Sequence, residues 1–268
     1  MKPLARAAYH RLYRFQIRMR CWIADRAGRR EPTVPPAMLR FRVTESLSVK
    51  DFLKIGDGCA QHIGQRLFDG SSQGQRVLDF GCGCGRTIRW LLRDHGGVEF
   101  HGADVDAAAI EWCKAHLQGA QFLATAPEPP LPYPDAHFDA IYCLSVFTHL
   151  DEAMQDLWLA ELSRLLKPGG VLLLSVHGAA AAKQLDQAGR DTLAQVGFLH
   201  RRTRKLKGLV PDWYQTTWHS REYILNRLSR WFEDARYDVV PDGLQDFVAA
   251  RKPTRCDRAD DPAMRPRA

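Results

Sequence analysis

The stretch VLDFGCGCGR, residues 77–86, joins an apolar run to a turn that contains three glycines and two cysteines. Gly81, Gly83 and Gly85 allow the backbone to adopt conformations that other residues avoid, and to approach a ligand closely. In a parallel sheet such a turn follows the carboxyl end of a strand, where ligands bind. The turn therefore predicts a small-molecule site at this edge of a sheet.

Two aspartates accompany the turn. Asp79 lies two residues before the first glycine, and Asp104 ends the next strand candidate, in GADVD. A dinucleotide fingerprint would place a third glycine where Arg86 stands, and Asp79 would repel its pyrophosphate. An ammonium group suits Asp79, and two ribose hydroxyls suit Asp104. Either aspartate alone could instead form a turn or a helix cap, but together they favour a nucleoside with an amino-acid tail.

Three histidines are candidates for proton transfer at the same edge. His149 follows the fourth strand candidate, His177 ends the fifth, and His219 follows the aromatic run that contains Tyr214. A neutral imidazole can take a proton from an acceptor hydroxyl near neutral pH. We predict His149 and His219 as proton acceptors and Tyr214 as a catalytic side chain; a packing or capping role is the alternative for each.

From residue 76 onward, strand-like and helix-like segments alternate, which predicts a doubly wound α/β fold with a mostly parallel sheet. The strand candidates are RVLDFG, VEFHGADV, FDAIYCLSVF and VLLLSVHG. Asp106 and Asp151 are the expected N-caps of two intervening helices. A helix over residues 220–235 precedes RYDVV and LQDFVAA, which flank a Pro-Asp-Gly turn and predict an antiparallel hairpin at the end of the sheet.

The charge of the chain is concentrated in its first 30 residues. The formal net charge is +7, whereas residues 1–30 contain nine basic residues and one acidic residue, leaving −1 for the rest. Apolar side chains at helical spacing there are Leu4, Ala8, Leu12, Phe15, Met19 and Trp22. This spacing predicts a basic amphipathic helix with a linker over residues 1–36. We expect its apolar face to pack on the chain's own domain, with a membrane surface or a protein partner as the alternatives.

The composition excludes several classes of protein. The 268 residues are 45% hydrophobic, enough for a full core, yet no run of about 18 apolar residues is long enough to span a membrane. Arginines interrupt the region where a secretory signal would lie, which predicts a cytoplasmic protein. The seven cysteines are scattered without C-x-x-C spacing, so the sequence indicates neither a disulfide framework nor a metal site.

Four segments resemble, in order and spacing, the successive motifs of class I S-adenosylmethionine-dependent methyltransferases. They are VLDFGCGCGR, GADVD, FDAIYCLSVFTHL and LSRLLKPGGVLLLSV, within residues 76–178. The resemblance implies a Rossmann-like seven-stranded sheet that ends in an antiparallel strand, and S-adenosylmethionine as the cofactor. We expect the methyltransferase domain to cover residues 37–252 and the tail, residues 253–268, to be disordered.

The resemblance also implies roles for individual residues. Asp79 faces the methionine portion, the glycine turn passes beneath the ligand, Asp104 binds the ribose and Val105 lies beside the adenine. Many relatives have an acidic residue near the adenine amino group, where this chain has Thr125 and Ala126. The complete predicted cofactor-binding set is Asp79, Gly81, Cys82, Gly83, Arg86, Asp104, Val105, Ala126 and Ser145.

The segments PPAMLRFRV, SVFTHL and YQTTWHSREYI resemble methyltransferases found with bacterial glycan and secondary-metabolite pathways. This resemblance implies that the acceptor is a small molecule with a hydroxyl or an amine. Signatures of base-amino and pyrimidine methylation are absent, and only the run RRTRKLK indicates RNA. An RNA methyltransferase and a cofactor-binding, non-catalytic subunit remain the alternatives. We expect residues 179–219 to form a cap over the acceptor, with aromatic residues closing the site and arginines added from the N-terminal side. These are Trp213, Tyr214 and Trp218, with Arg40 and Arg42.

Overall fold

The computed structural model describes residues 3–27, 33–68, 72–202, 209, 215–241, 243 and 245–254. Trp213, Tyr214, most of the RRTRKLK run and nearly all of the predicted tail lie outside the described residues. The helices are α1 (Pro3–Ala27), α2 (Ala37–Thr44), α3 (Val49–Leu67), α4 (Ile88–Asp94), α5 (Ala107–His116), α6 (Glu152–Leu165), α7 (Ala179–Ala182), α8 (Gln187–Val196) and α9 (Arg221–Leu228). The strands are β1 (Arg76–Phe80), β2 (Glu99–Asp104), β3 (Ala120–Ala124), β4 (Phe138–Cys143), β5 (Leu166–Val176), β6 (Phe198–Arg201), β7 (Thr216–His219), β8 (Glu233–Asp238) and β9 (Asp246–Arg251).

A seven-stranded sheet forms the centre of the fold, in the order β3-β2-β1-β4-β5-β9-β8. Strands β1 to β5 are parallel, and β9 runs antiparallel to both β5 and β8. Helices cover both faces, so the central strands are apolar on both sides; Val77 and Leu78 in β1 are both fully buried. The predicted doubly wound, mostly parallel seven-stranded sheet is confirmed.

Two element boundaries differ from the sequence prediction because tertiary pairing overrides local signals. Strand β5 begins at Leu166, before the Pro-Gly-Gly turn, because Leu166 pairs with Phe138 of β4. Helix α9 ends at Leu228, earlier than expected, because Glu233 already pairs with Arg251 of β9. The N-caps follow the prediction, since Asp106 and Asp151 accept hydrogen bonds from the backbone of α5 and α6.

The cap segment, residues 179–219, contains the short antiparallel pair of strands β6 and β7, which the sequence analysis did not predict. The backbone N–H of Thr217 donates to the Thr148 carbonyl at 2.8 Å, and that of His219 donates to the His177 carbonyl at 3.0 Å. Thr148 follows β4 and His177 follows β5. Strand β7 is therefore hydrogen-bonded across the carboxyl ends of β4 and β5.

Helix α1 packs on α2 through a face opposite to the predicted one. Ile17 and Cys21 are buried against Phe41 of α2, whereas Phe15 and Trp22 of the predicted face are 61% and 51% exposed. The expectation that this face packs on the domain was wrong, because α1 has apolar residues on two sides and the smaller set makes the contact. Within the described ranges, no helix has the length and apolar character needed to cross a bilayer.

Candidate active site

The glycine turn after β1 adopts the left-handed conformations that its composition predicts. The φ angles of Gly81, Gly83 and Gly85 are +83°, +53° and +71°, a region that side chains other than glycine rarely adopt. The N–H groups of Gly81 and Cys82 both donate to the Ala103 carbonyl, at 2.7 and 3.2 Å. The turn is thus held against the end of β2, with its backbone along the floor of a cavity.

Asp104 joins the end of β2 to this turn. Its Oδ2 atom accepts a hydrogen bond from the Gly83 N–H at 2.7 Å, and its Oδ1 atom accepts one from the Asp106 N–H, also at 2.7 Å. Both bonds fix the plane of the carboxylate. Because each carboxylate oxygen has a second lone pair, Asp104 can still accept hydrogen bonds from two neighbouring hydroxyl groups.

Asp79 is the most deeply buried acid of the site. Burial raises its pKa from an ordinary value of 3.8 to about 7, and the negative charge of Asp104 acts in the same direction. Among the side chains that the structure describes, none forms an ion pair with this carboxylate. A cationic group in the cavity would favour the ionised form of Asp79. The Asp79 carboxylate therefore fits a ligand that carries an ammonium or sulfonium charge.

A cavity of about 690 Å³ lies over the carboxyl ends of β1, β2, β4 and β5. A volume of this size is typical of small-molecule and cofactor sites. The structure brings all nine predicted cofactor-binding residues to its wall. They are Asp79, Gly81, Cys82, Gly83, Arg86, Asp104, Val105, Ala126 and Ser145.

Two histidines line the same cavity next to β7, His149 and His177. The Nδ1 atom of His149 lies 2.6 Å from the Gln215 carbonyl, and that of His177 lies 3.0 Å from the Thr217 carbonyl. A carbonyl oxygen only accepts, so each Nδ1 carries the proton and each Nε2 carries the lone pair. Burial lowers the pKa of both residues, that of His149 to about 4, and both rings are neutral at pH 7.

His219 lies away from the cavity, which removes the proton-accepting role predicted for it. Its ring is 1% exposed and packs against Phe198 and Tyr223. Its Nε2 atom lies 3.0 Å from Nε2 of the buried Gln155. Burial lowers the pKa of His219 to about 3, so the ring is a neutral part of the core beneath the cap. Tyr214 stays a prediction, outside the described residues.

Helix α2 supplies a wall that the sequence analysis identified only in part. Arg42 lines the cavity, where it forms a 2.6 Å ion pair with Asp106, and Arg86 donates to the Val43 carbonyl at 2.6 Å. Arg40, the other arginine expected at the acceptor, is buried outside the cavity wall, where it donates to the Leu47 carbonyl. Arg40 and Arg42 are two residues apart in α2 and therefore lie about 200° apart around the helix, so only one of them can face the cavity.

Several polar side chains of the cavity wall were missed by sequence reasoning. They are Tyr13, Glu45, Gln184, Thr216 and Gln245. Gln245 donates from its amide to Oγ of Ser145 at 2.9 Å and accepts from Oγ of Ser175 at 2.7 Å, which ties the end of β9 to those of β4 and β5. These residues come from distant segments and belong to no motif, so only the folded chain brings them together.

Comparison with known proteins finds methyltransferases that are similar to part of this chain. Residues 77–170 match the model of the family described as "Methyltransferase domain". A fatty-acid O-methyltransferase of Mycolicibacterium smegmatis is 33% identical over 103 residues, covering 38% of this chain and 36% of that protein. A tRNA N(3)-cytidine methyltransferase of Danio rerio is 26% identical over 163 residues, covering 58% of this chain and 46% of that protein.

A solved structure has the same fold. It is an S-adenosylmethionine-dependent methyltransferase from Mesorhizobium loti, similar to this chain with a TM-score of 0.55 and 19% identity, over 73% of this chain and 99% of that one. By contrast, the matched stretches span less than half the length of both curated relatives. The similarity therefore identifies the domain and its fold, and leaves the acceptor open.

Proposed function

We propose that the chain is a class I S-adenosylmethionine-dependent methyltransferase and that it methylates a small-molecule acceptor that carries a hydroxyl or an amine. The match of residues 77–170 to a methyltransferase family model supports this proposal. The curated relatives act on acceptors as different as a fatty acid and a tRNA, by their names. The acceptor class must therefore be argued from the residues around the cavity of this chain.

The cofactor end of the cavity fits S-adenosylmethionine. Asp79 would face its cationic amino-acid portion, Asp104 its ribose hydroxyls, and Val105 its adenine. The glycine turn offers backbone without side chains beneath the ligand. When bound, the cofactor supplies an electrophilic methyl group on a sulfonium, and the chain's own residues must align the acceptor and exclude water.

The single observation that carries the proposal is the continuity of one cavity from the glycine turn to the two histidines next to β7. Trp218 of β7 and Ala181 of α7 also line this cavity, as does Val43 of α2, which lies against the glycine turn. A largely apolar cavity of about 690 Å³ suits a small molecule better than a nucleic-acid strand, which needs a basic groove. Residues 31–268 carry a net charge of −1. They therefore lack the excess of basic side chains that binding to a phosphate backbone requires.

The histidines provide a route for a proton when the acceptor is a hydroxyl. His149 and His177 hold their Nδ1 protons toward backbone carbonyls, so Nε2 of either ring is the atom that can accept a proton. The acceptor oxygen would lose this proton as its bond to the methyl group forms. An amine acceptor would use the same cavity without requiring the base.

The proposal is tested by supplying the protein with S-adenosylmethionine labelled in the methyl group, together with separate small-molecule and RNA fractions of a cell extract. We expect label in the small-molecule fraction, and none when the Gly83→Val variant replaces the wild type. Label in RNA would contradict the acceptor class. Cofactor binding without label in either fraction would favour the non-catalytic subunit.

A further inference from the structure

An apolar surface lies outside the cavity, on the outward side of α1. It consists of Tyr9, Leu12, Phe15, Met19, Trp22 and Ile23, all of them exposed. At 100° per residue, these side chains span an arc of about 140°. On the same helical wheel, Arg11 and Arg18 lie along one edge of this arc, and Arg20 lies along the other. We call this surface the outer face of α1.

The outer face does not hold α1 on the domain, because the opposite side of the helix does so. Ile17 and Cys21 are buried against Ala37 and Phe41 of α2. The exposure of the outer face shows that no described residue covers it. Six large apolar side chains on one surface are more than the scattered exposure that is normal for a protein, and they mark a binding surface.

The positive charge around the outer face indicates that its partner is anionic. Residues 1–30 carry a net charge of +8, whereas the remaining residues carry −1. A helix with an apolar strip and arginines along both edges fits an anionic lipid surface, because the strip enters the headgroup region while the guanidinium groups meet phosphates. The Arg26 guanidinium lies 4.0 Å from the Trp22 ring centroid, an amphipathic pair of the kind that suits such an interface.

We propose that the outer face of α1 binds anionic lipid bilayers. A second copy of the chain is a poorer match, since its residues after position 30 carry a net charge of only −1 and offer no strong acidic counterpart. Tyr13, on the same helix, lines the catalytic cavity. A bilayer bound to α1 would therefore lie beside the cavity, although lipid binding does not depend on the proposed methyl transfer.

The test is sedimentation of the full chain with vesicles of phosphatidylglycerol and phosphatidylcholine, and with vesicles of phosphatidylcholine alone. We expect binding to the anionic vesicles only. The double variant Phe15→Gln and Trp22→Gln should bind about tenfold more weakly, because it removes the two largest apolar anchors. The matched control is Leu157→Gln with Val196→Gln, which changes two similarly exposed apolar residues elsewhere and should keep wild-type binding.

The contribution of charge is tested with Arg11→Gln and Arg20→Gln together. Their loss should weaken binding about tenfold at low salt, and 0.5 M salt should weaken wild-type binding strongly (Debye length about 4 Å). Absence of sedimentation with anionic vesicles would overturn the proposal, as would equal binding to phosphatidylcholine or an equal loss in the control. A dimer seen by light scattering without lipid, and abolished by the Phe15 and Trp22 changes, would assign the outer face to self-association instead.

Discussion

The imidazole of His149 donates its Nδ1 proton to the backbone carbonyl of Gln215, 2.6 Å away, at the start of strand β7. The Thr217 carbonyl holds His177 in the same way at 3.0 Å. Strand β7 thus sets the tautomer and the direction of two histidines that follow different strands of the central sheet. We infer that the cap positions the histidine that accepts the proton and also covers the molecule that accepts the methyl group.

The first prediction concerns these two histidines. His149→Gln and His177→Gln are expected to keep wild-type affinity for S-adenosylmethionine, and for a hydroxyl acceptor at least one of them should lower kcat about 100-fold, as loss of a general base does. The acceptor found by methyl labelling serves as substrate, and calorimetry measures cofactor affinity. His200→Gln is the matched control, because His200 contacts the same strand through Thr217 Oγ1 but is not part of the cavity wall. Wild-type turnover in both test variants would remove the base from the mechanism.

A pH effect on cofactor binding follows from Asp79. Its pKa is about 7 in the folded chain, and only the ionised carboxylate attracts a cationic ligand. Affinity for S-adenosylmethionine should therefore increase as the pH rises from 6 to 8, with proton release on binding at pH 7. Calorimetry in buffers of different ionisation enthalpy measures both quantities. In Asp79→Asn this proton release should disappear; a release equal to that of the wild type would show that another group titrates.

The same pKa gives a prediction for stability without ligand. Between pH 4 and 7 the unfolded chain has lost the Asp79 proton, whereas the folded chain retains it, because the folded pKa is raised from 3.8 to about 7. The free energy of unfolding should therefore fall as the pH rises through this window, by at most about 1.4 kcal/mol per pH unit from this group. Urea unfolding of the wild type and of Asp79→Asn at pH 5 and 7 measures the difference. An identical pH slope in the two proteins would contradict the raised pKa.

The packing of α3 beneath the glycine turn depends on Gly56. A Cβ atom there would collide with the Arg86 carbonyl oxygen and lie 2.9 Å from the Trp90 indole nitrogen. Gly56→Ala should lower the free energy of unfolding by about 1–3 kcal/mol, since backbone cannot easily move aside. Gly58→Ala, two residues along the same helix, meets nothing within 4 Å and should raise stability by about 0.5–1 kcal/mol. Equal effects in urea unfolding would refute this packing argument.

His219 is predicted to matter for stability rather than for chemistry. His219→Ala removes a buried ring beside Phe198 and Tyr223, and takes away the side-chain hydrogen-bond partner of the buried Gln155. We expect a loss of about 2–4 kcal/mol in the free energy of unfolding, with cofactor affinity retained under native conditions. Thermal unfolding measures the loss of stability, and calorimetry measures cofactor affinity. Normal stability combined with lost turnover would restore the catalytic role that the sequence suggested.

The cofactor end of the site was predictable from the sequence because it is local. Asp79 and the three glycines lie in one short stretch, and Asp104 ends the neighbouring strand, so strand order alone brings them together. The rest of the cavity wall is assembled from residues far apart in the chain, such as Tyr13, Gln184 and Gln245. No spacing within the sequence relates these residues, and their convergence depends on how α1, the cap and β9 pack.

Periodicity likewise indicated a helix at the N-terminus but not which side of it is buried. The stripe with Phe15 and Trp22 is the more apolar one, yet Ile17 and Cys21 make the contact with α2. A smaller and smoother surface allows the two helices to approach, whereas the large side chains stay outside. Strand β7 was missed for a related reason: TTWH is short, and pairing with β6 and with the ends of β4 and β5 stabilises it.

The most direct measurement is a calorimetric titration of S-adenosylmethionine into the wild type and into Asp104→Ala, with melting curves to verify that both are folded. We expect one cofactor to bind per wild-type chain. Binding to the variant should be roughly tenfold weaker or more, because two charge-assisted hydrogen bonds to the ribose are lost. Equal affinity in the two proteins, or tight binding of NAD by the wild type, would contradict the assignment of this cavity to S-adenosylmethionine.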